Sequence, residues 1–340
     1  MVTTAPFLPR EAGRFAPAMR ECGTFETLYC EASSERARLV RIGDYSAADG
    51  LATVVAESAR RTGRLAESSA VLEHAISSSD PRSESARWAR WSAANVLRQT
   101  GDRVRSASLL REALEAARAS GDIWLQLYVR AGKAEAARID GRYAEAERAH
   151  AELLDDFLRL DDTRGMVWAW EGLAQIFLST GRTERARTLF GRALQACTAG
   201  DDLRSLAFAH RGLAETAIAC GNGVAGLSHA HAAVHLFGTA GYVIGEGYAR
   251  KSLAEILLGT SDPDGARLEL ALARSLFERV NHPRGLLYSD LLDLRFAAKI
   301  SRADEREHKL RAVAPRVKAS GLLLARAELW KATQTYRAGA

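Results

Sequence analysis

Glycine recurs along this chain at a near-constant step. Gly63, Gly101, Gly141, Gly181 and Gly221 lie 38, 40, 40 and 40 residues apart, and Ser261 and Ser301 continue the 40-residue step. Each stands in a turn-like phrase, such as TGRLAES, TGDRVRS, DGRYAEA, TGRTERA or TSDPDGA. A second series of breakers lies midway: Gly43, Gly121, Asp161, Asp201, Gly241, Asn281 and Gly321. The text between breakers is amphipathic and heavy in Ala, Leu, Glu and Arg, all strong helix formers. Only seven prolines occur in 340 residues, and no window shows sustained alternation of Val, Ile or Thr. A fixed period of this length describes consecutive helix–turn–helix units that must stack to bury their apolar faces. The expected fold is all-α: a right-handed α-solenoid of stacked antiparallel helix pairs over residues 23–320. A partly irregular segment (1–22, with Pro6, Pro9 and Pro17) precedes it, and a capping helix and tail (321–340) follow.

One phrase competes with this reading. Gly221-x-Gly223-x-x-Gly226 spells the dinucleotide-binding fingerprint, which needs a strand before the glycines and a helix after them. Here the glycines close a helical segment, LAFAHRGLAETAIACG, so the match is a glycine-rich turn and no cofactor is expected.

The clearest unit runs Trp170, Leu173, Ala174, Phe177, Gly181, Ala186, Phe190, Ala193, Leu194, and a second reads HRGLAETAIACGN. In residue type and spacing these units resemble the tetratricopeptide repeat family. The 40-residue period is longer than the family's usual one and is similar to that of arrays in bacterial STAND-type regulators. The resemblance implies a superhelix with a concave binding groove, and says little about what occupies it. Arg90, Arg130, His210, Arg250 and Asp290 stand where the family has a large apolar residue. Either these charges pair between units, or the first helix of each unit is rotated. In the second helices, small residues recur (Ala75, Ala113, Ala193, Ala233, Ala273), with Leu72, Leu110, Phe190, Leu270 and Leu310 as fillers between them.

Counted back from the turn, positions 13, 10 and 6 of each first helix share one face, which in the family lines the groove. The first column is aromatic in six successive units: Trp88, Tyr128, Trp168, Phe208, Tyr248 and Tyr288. The second holds Trp91, Ala131, Glu171, Arg211, Lys251 and Leu291, and the third Asn95, Glu135, Gln175, Glu215, Glu255 and Arg295, with Glu57 before them. The candidate groove set is therefore Trp88, Trp91, Asn95, Tyr128, Glu135, Trp168, Glu171, Gln175, Phe208, Arg211, Glu215, Tyr248, Lys251 and Glu255. The aromatics serve either as packing wedges or as apolar anchors with their edges in the groove.

The chain carries 47 basic and 42 acidic residues, distributed along its length without a basic run, so nucleic acid is not an expected partner. No stretch approaches the length of a membrane span, and the N-terminus lacks the apolar run of a signal peptide. Cys22, Cys30, Cys197 and Cys220 lack metal-ligand spacing, which fits reduced thiols in a cytoplasmic protein. Abundant Arg and Ala suggest a GC-rich bacterial source. His229, His231 and His235 lack a completing ligand, so no metal is expected. The acids of DDFLRLDD (155–162) read as helix caps, since Asp161 and Asp162 precede the next helix. Paired carboxylates across units, Glu135 with Glu171 and Glu215 with Glu255, would support acid–base chemistry only if desolvated. The expected function is a non-catalytic scaffold that binds a peptide or partner-protein segment in its groove, in a regulatory or adaptor role. The alternative is a small-molecule binder or unusual enzyme of specialised metabolism using the same face. A homodimer through terminal units is compatible with either.

Overall fold

The computed structural model describes residues 24–198, 202–260, 262–299 and 303–337. They form sixteen helices and no strand. A single helix, α1 (Phe25–Arg41), leads into seven antiparallel hairpins. These are α2 (Tyr45–Arg61) with α3 (Leu65–Ser78), α4 (Glu84–Thr100) with α5 (Arg103–Ala119), and α6 (Ile123–Ile139) with α7 (Tyr143–Arg159). Then come α8 (Thr163–Ser179) with α9 (Thr183–Thr198), α10 (Leu203–Ala219) with α11 (Gly223–Ala240), α12 (Val243–Gly259) with α13 (Pro263–Arg279), and α14 (Pro283–Lys299) with α15 (Ala303–Ser320). Helix α16 (Leu323–Arg337) closes the series. Consecutive helices pack pairwise, so the array is an α-solenoid. The segment expected to be irregular, 1–22, lies outside the described residues, as do Asp201, Ser261 and Ser301.

The breakers act as predicted, through the backbone. Gly43, Gly63, Gly101, Gly121, Gly141, Gly181, Gly221, Gly241 and Gly321 have φ between 67° and 99°, and Asp161 and Asn281 take the same left-handed region at 52° and 46°. The following residue commonly caps the next helix. Asp44, Asp102, Asp122, Asp202 and Asp262 accept the N–H three residues on at 2.9–3.1 Å. Its own N–H reaches back to the carbonyl five residues earlier, as from Asp162 to Phe157, Arg182 to Phe177 and His282 to Phe277 at 2.8–3.0 Å. This is a Schellman-type closure, repeated at every joint where those bonds occur.

Packing between units pairs a large residue with an absent side chain. Phe157, Phe190, Phe237 and Phe277 on second helices are all but fully buried. A Cβ on Gly212 would lie 2.2 Å from the Phe190 ring, and one on Gly285 2.4 Å from Phe277. The charges at the position where a large apolar residue was expected do not, in the main, pair between units as the first alternative had it. They pair mainly within their own hairpin: Arg90 with Glu112 (3.9 Å), Arg130 with Asp156 (2.6 Å) and Arg250 with Glu269 (2.9 Å). His210 Nδ1 lies 2.8 Å from His229 Nδ1, and Asp290 joins Arg316 of its own hairpin and Arg274 of the preceding one (2.5 Å).

The array also meets itself. Phe25 of α1 packs edge-on against Tyr242, at the start of α12, with ring centroids 6.2 Å apart, in one buried cluster with Phe237 and Val280. Gly63 lies under Val280, and Gly141 under Leu323. Ile139 packs against the buried cluster that holds Leu287, Leu291 and Leu322, and Arg103 Nη2 donates to the Ser320 carbonyl at 3.1 Å. The inner wall of the first hairpins therefore faces that of the last across a narrow interior.

Because Phe190 occupies the space above Gly212, Gly212→Ala is expected to lower stability by about 1–3 kcal/mol, despite alanine's better helix propensity. Denaturant unfolding of both proteins checks this; an unchanged midpoint would show that Phe190 moves freely.

Candidate functional site

The first helices place positions 17, 13, 10, 6 and 3 before each turn on one stripe, facing the interior. Three cavities lie along that face. A central chamber of about 160 Å³ is lined by residues of α2, α4, α6, α8, α10, α12 and α14. A cavity of about 340 Å³ adjoins it and shares Arg138, Gln175, Arg211, Tyr248 and Arg284 with it. A third, of about 450 Å³, lies at the seam where α4–α6 meet α14–α16, and shares Arg98, Gln99 and Arg284 with the chamber.

Of the fourteen candidate groove residues, the chamber gathers Trp91, Asn95, Glu135, Trp168, Glu171, Gln175, Phe208, Arg211 and Tyr248. The adjoining cavity adds Glu215, Lys251 and Glu255. Trp88 and Tyr128 reach neither. They are 3% and 0% exposed and form an aromatic core with Trp91, centroids 5.6–6.1 Å apart. Tyr128 also stacks on Trp168 at 5.7 Å. Trp91 is itself nearly buried, with its Nε1–H donating to the Tyr128 carbonyl at 3.1 Å. The aromatic column thus divides by unit. In the first hairpins it packs; further on, Phe208 and Tyr248 keep part of their rings in the cavity.

The polar columns are cross-braced. Asn95 accepts from Arg98 at 3.0 Å, and Glu135 accepts two bonds from Arg138 at 2.7 and 2.8 Å. Gln175 donates to Glu215 at 3.0 Å across the gap between α8 and α10, and Glu215 also accepts from Ser252. Lys251 lies 3.1 Å from Glu255, which Arg295 also meets. Burial would raise the Glu255 carboxyl, but Lys251 and Arg295 outweigh it and hold it at about 2. Burial likewise opposes Glu135, and Arg138 wins, so that carboxyl lies far below its ordinary value. The carboxylate pairs considered for acid–base work are therefore tied into ion pairs at these two members.

Glu171 behaves differently. It is 8% exposed, its Oε1 is buried without a hydrogen-bond partner, and burial pushes its carboxyl up to about 8 against the pull of Arg204 and Arg211. It is neutral near pH 7. His282 is 1% exposed, and Nδ1 accepts from the Gly285 N–H at 2.8 Å, which leaves the proton on Nε2; that atom too is buried without a partner. Burial, then Arg284, lowers this imidazole to about 3, so it is also neutral.

The largest addition to the sequence reading is arginine. Eight line the chamber against three glutamates. Arg60, Arg98 and Arg138 stand three positions before the turn, and Arg164, Arg204 and Arg284 seventeen before it; Arg61 and Arg211 complete the set. The signal lay one helical turn beyond each end of the stripe first considered. Glu57 takes Arg60 (2.7 Å) and Arg61 (2.6 Å), and accepts from Ser92. Burial raises that carboxyl, yet the two guanidiniums hold it at about 2. Arg204 lies over the Phe208 ring at 4.8 Å, Arg211 over Phe208 and Tyr248 at 5.0 and 5.6 Å, and Arg284 over Tyr248 at 5.8 Å. Guanidinium and ring thus alternate along the wall.

Elsewhere, Gly221 stands in the turn between α10 and α11, and Gly223 and Gly226 lie within α11, with no strand among the described residues. His231 and His235 are exposed, and no group of three or more His, Cys, Asp or Glu side chains converges among the described residues. Asp161 takes the left-handed position and Asp162 the N-cap position of α8, but the Asp162 side chain makes no capping hydrogen bond there and instead accepts from the Tyr128 hydroxyl at 3.5 Å. No described helix is long and apolar enough to cross a membrane.

The Glu171 carboxyl has a clear linkage sign. Its folded value, about 8, lies above its ordinary 4.5, so the folded chain holds a proton that the unfolded chain releases between those values. Its contribution is full below pH 4.5 and is lost as pH rises towards 8. Glu171→Gln should therefore raise the melting temperature by roughly 2–5 °C at pH 8.5 and leave it nearly unchanged at pH 5. Parallel melting profiles against pH would contradict this.

Comparison with known proteins agrees with the fold. A family model described as tetratricopeptide repeat matches residues 125–199. No curated protein matches the chain. Among solved structures, the crystal structure of a Rap protein complexed with competence and sporulation factor superposes with a TM-score of 0.70 at 12% identity, covering 96% of this chain and 94% of that one. The crystal structure of BtubC (BKLC) from P. vanneervenii covers 76% of this chain and 92% of that one at 16% identity, with a TM-score of 0.43, too low to establish a shared fold. Residues 125–199 thus match the tetratricopeptide repeat, and further helical hairpins continue the array on both sides of them.

Proposed function

We propose that this protein is a non-catalytic scaffold that holds an extended peptide or a segment of a partner protein along its interior, in a regulatory or adaptor role. The observation that carries the reading is the continuity of the chamber with the 340 Å³ cavity. Together they present amide, carboxylate, ammonium and guanidinium groups from α4 through α14 in a single run. A peptide backbone needs such spaced donors and acceptors, and Phe208, Tyr248 and Tyr288 offer apolar area beside them. The Rap protein that shares the solenoid was crystallised with a factor bound, which supports the same use of the fold here. A second reading, a small-molecule ligand, draws on the size of the chamber, since about 160 Å³ around Trp91, Glu135 and Glu171 matches a small group by itself.

Selection from a random peptide library against the full chain tests the first reading. Arg211→Ala and Lys251→Ala should each weaken a selected peptide by about tenfold or more, as expected for lost charge-assisted bonds, while exposed His231→Ala leaves it unchanged. Selected peptides indifferent to both channel substitutions would remove the reading. A small molecule retained by native protein, in the absence of any selectable peptide, would establish the second.

A further inference from the structure

We propose that the central chamber is an oxyanion site: it receives a carboxylate or phosphate group between Arg204, Arg211 and Arg284, beside Glu171 and His282. This rests on the interior being the binding site and deepens that reading by naming the group that enters the chamber.

The first argument is charge balance. Four carboxylates answer the eight guanidiniums. Glu57 serves Arg60 and Arg61, Glu135 serves Arg138, with Arg98 at 3.8 Å, Asp202 lies 3.4 Å from Arg164, and Glu215 lies 3.5 Å from Arg211. Arg204 and Arg284 have no described carboxylate within 4.0 Å. Arg204 has the Phe208 ring, and Arg284 has the Tyr248 ring and the Tyr248 hydroxyl, to which its Nε donates at 3.0 Å. An aromatic face holds a guanidinium in place without cancelling its charge. Guanidinium does not shed its proton at neutral pH, so the surplus is permanent. Surplus positive charge in a partly desolvated space is costly until an anion enters. The crowding registers on the neighbours: burial first, and then adjacent guanidiniums including Arg60 and Arg284, bring Arg61 and Arg98 down to about 10.

The second argument is independent of charge. Buried polar atoms in folded proteins nearly always have partners, and here five residues of the chamber wall carry one that has none: Arg61 Nε, Gln99 Oε1, Glu171 Oε1, Arg211 Nε and His282 Nε2. Glu171 Oε1 and His282 Nε2 are both buried and unbonded, on side chains more than nine-tenths buried. Both groups are neutral near pH 7 and carry a proton to give, so each can donate to an anionic oxygen. An aliphatic guest would leave both unsatisfied, and a cationic one would leave the His282 Nε2–H without an acceptor.

Size supplies the third. At about 160 Å³ the chamber has room for about five waters' share of liquid volume, which suits one phosphate or one carboxylate side chain. The rest of a larger guest would lie in the adjoining 340 Å³ cavity, past Gln175 and Lys251.

Calorimetry on the full chain tests this with three probes at constant ionic strength: inorganic pyrophosphate, a tetraglutamate peptide and its tetraglutamine counterpart. Pyrophosphate is expected to bind, and Arg204→Gln with Arg284→Gln to weaken it by about tenfold or more. The ligand-free double variant should melt no lower than the parent at low salt, because it loses surplus charge; a purely structural role for these arginines would lower it instead. Tetraglutamate binding well above tetraglutamine, with pyrophosphate competing, assigns the oxyanion to a peptide. Pyrophosphate binding with neither peptide keeps the oxyanion site and removes the peptide reading. Equal binding of both peptides, indifferent to pyrophosphate, overturns the oxyanion site and leaves the peptide reading standing. Failure of all three probes to bind overturns the proposal.

Discussion

A three-residue joint sets the geometry of the whole molecule. At one joint after another a residue with positive φ ends one helix, the next residue caps the following one, and a backbone N–H reaches back five residues to close the turn. The joint leaves little freedom in how two helices diverge. Repeated through seven hairpins, it makes like-numbered positions recur in register, and so produces columns at all. Alanines and glycines at the contacts let phenylalanines on second helices seat against the next unit. Stability is therefore shared between neighbours and does not reside in one core.

Register has a further consequence when the array curves enough to meet itself. Phe25, Gly63, Arg103 and Gly141 near one end touch Tyr242, Val280, Ser320 and Leu323 near the other. An inner wall that would be a solvated groove in an open superhelix becomes an interior. Ion pairs such as Glu57 with Arg60 and Arg61 then sit in a partly desolvated medium, where electrostatic interactions are far stronger than on an exposed helix face. The same enclosure turns Glu171 from an ordinary acid into a neutral group at pH 7. It also pushes the Tyr242 phenol in two directions: burial raises it, but Arg60, Arg204 and Arg61 outweigh burial and leave it below its usual value.

The candidate wall was partly legible from the chain. Positions 13, 10 and 6 before the turn do face inward, and twelve of their fourteen chosen residues line a cavity. Trp88 and Tyr128 do not, because the early units pack so closely that these rings are enclosed by Trp91 and Trp168. The arginines were harder to see. Arg60, Arg98, Arg138, Arg164, Arg204 and Arg284 are spread over 225 residues of sequence, and no local window holds a basic cluster. Only superposing the units on one stripe, extended a turn at each end, brings them together.

The sequence by itself determined what depends on short range: helix lengths, the left-handed turn positions, the period, and which face of each first helix is inward. Those follow from backbone sterics, propensity and the 3.6-residue repeat, all of which act within one or two turns of chain. Tertiary structure decided what depends on separation in space: how tightly the solenoid closes, which aromatics are enclosed, whether charges pair within or between hairpins, and the surplus of guanidinium over carboxylate in the chamber. Those quantities arise from distances between residues on opposite walls, and small angles at each joint add up over seven hairpins before those distances are fixed.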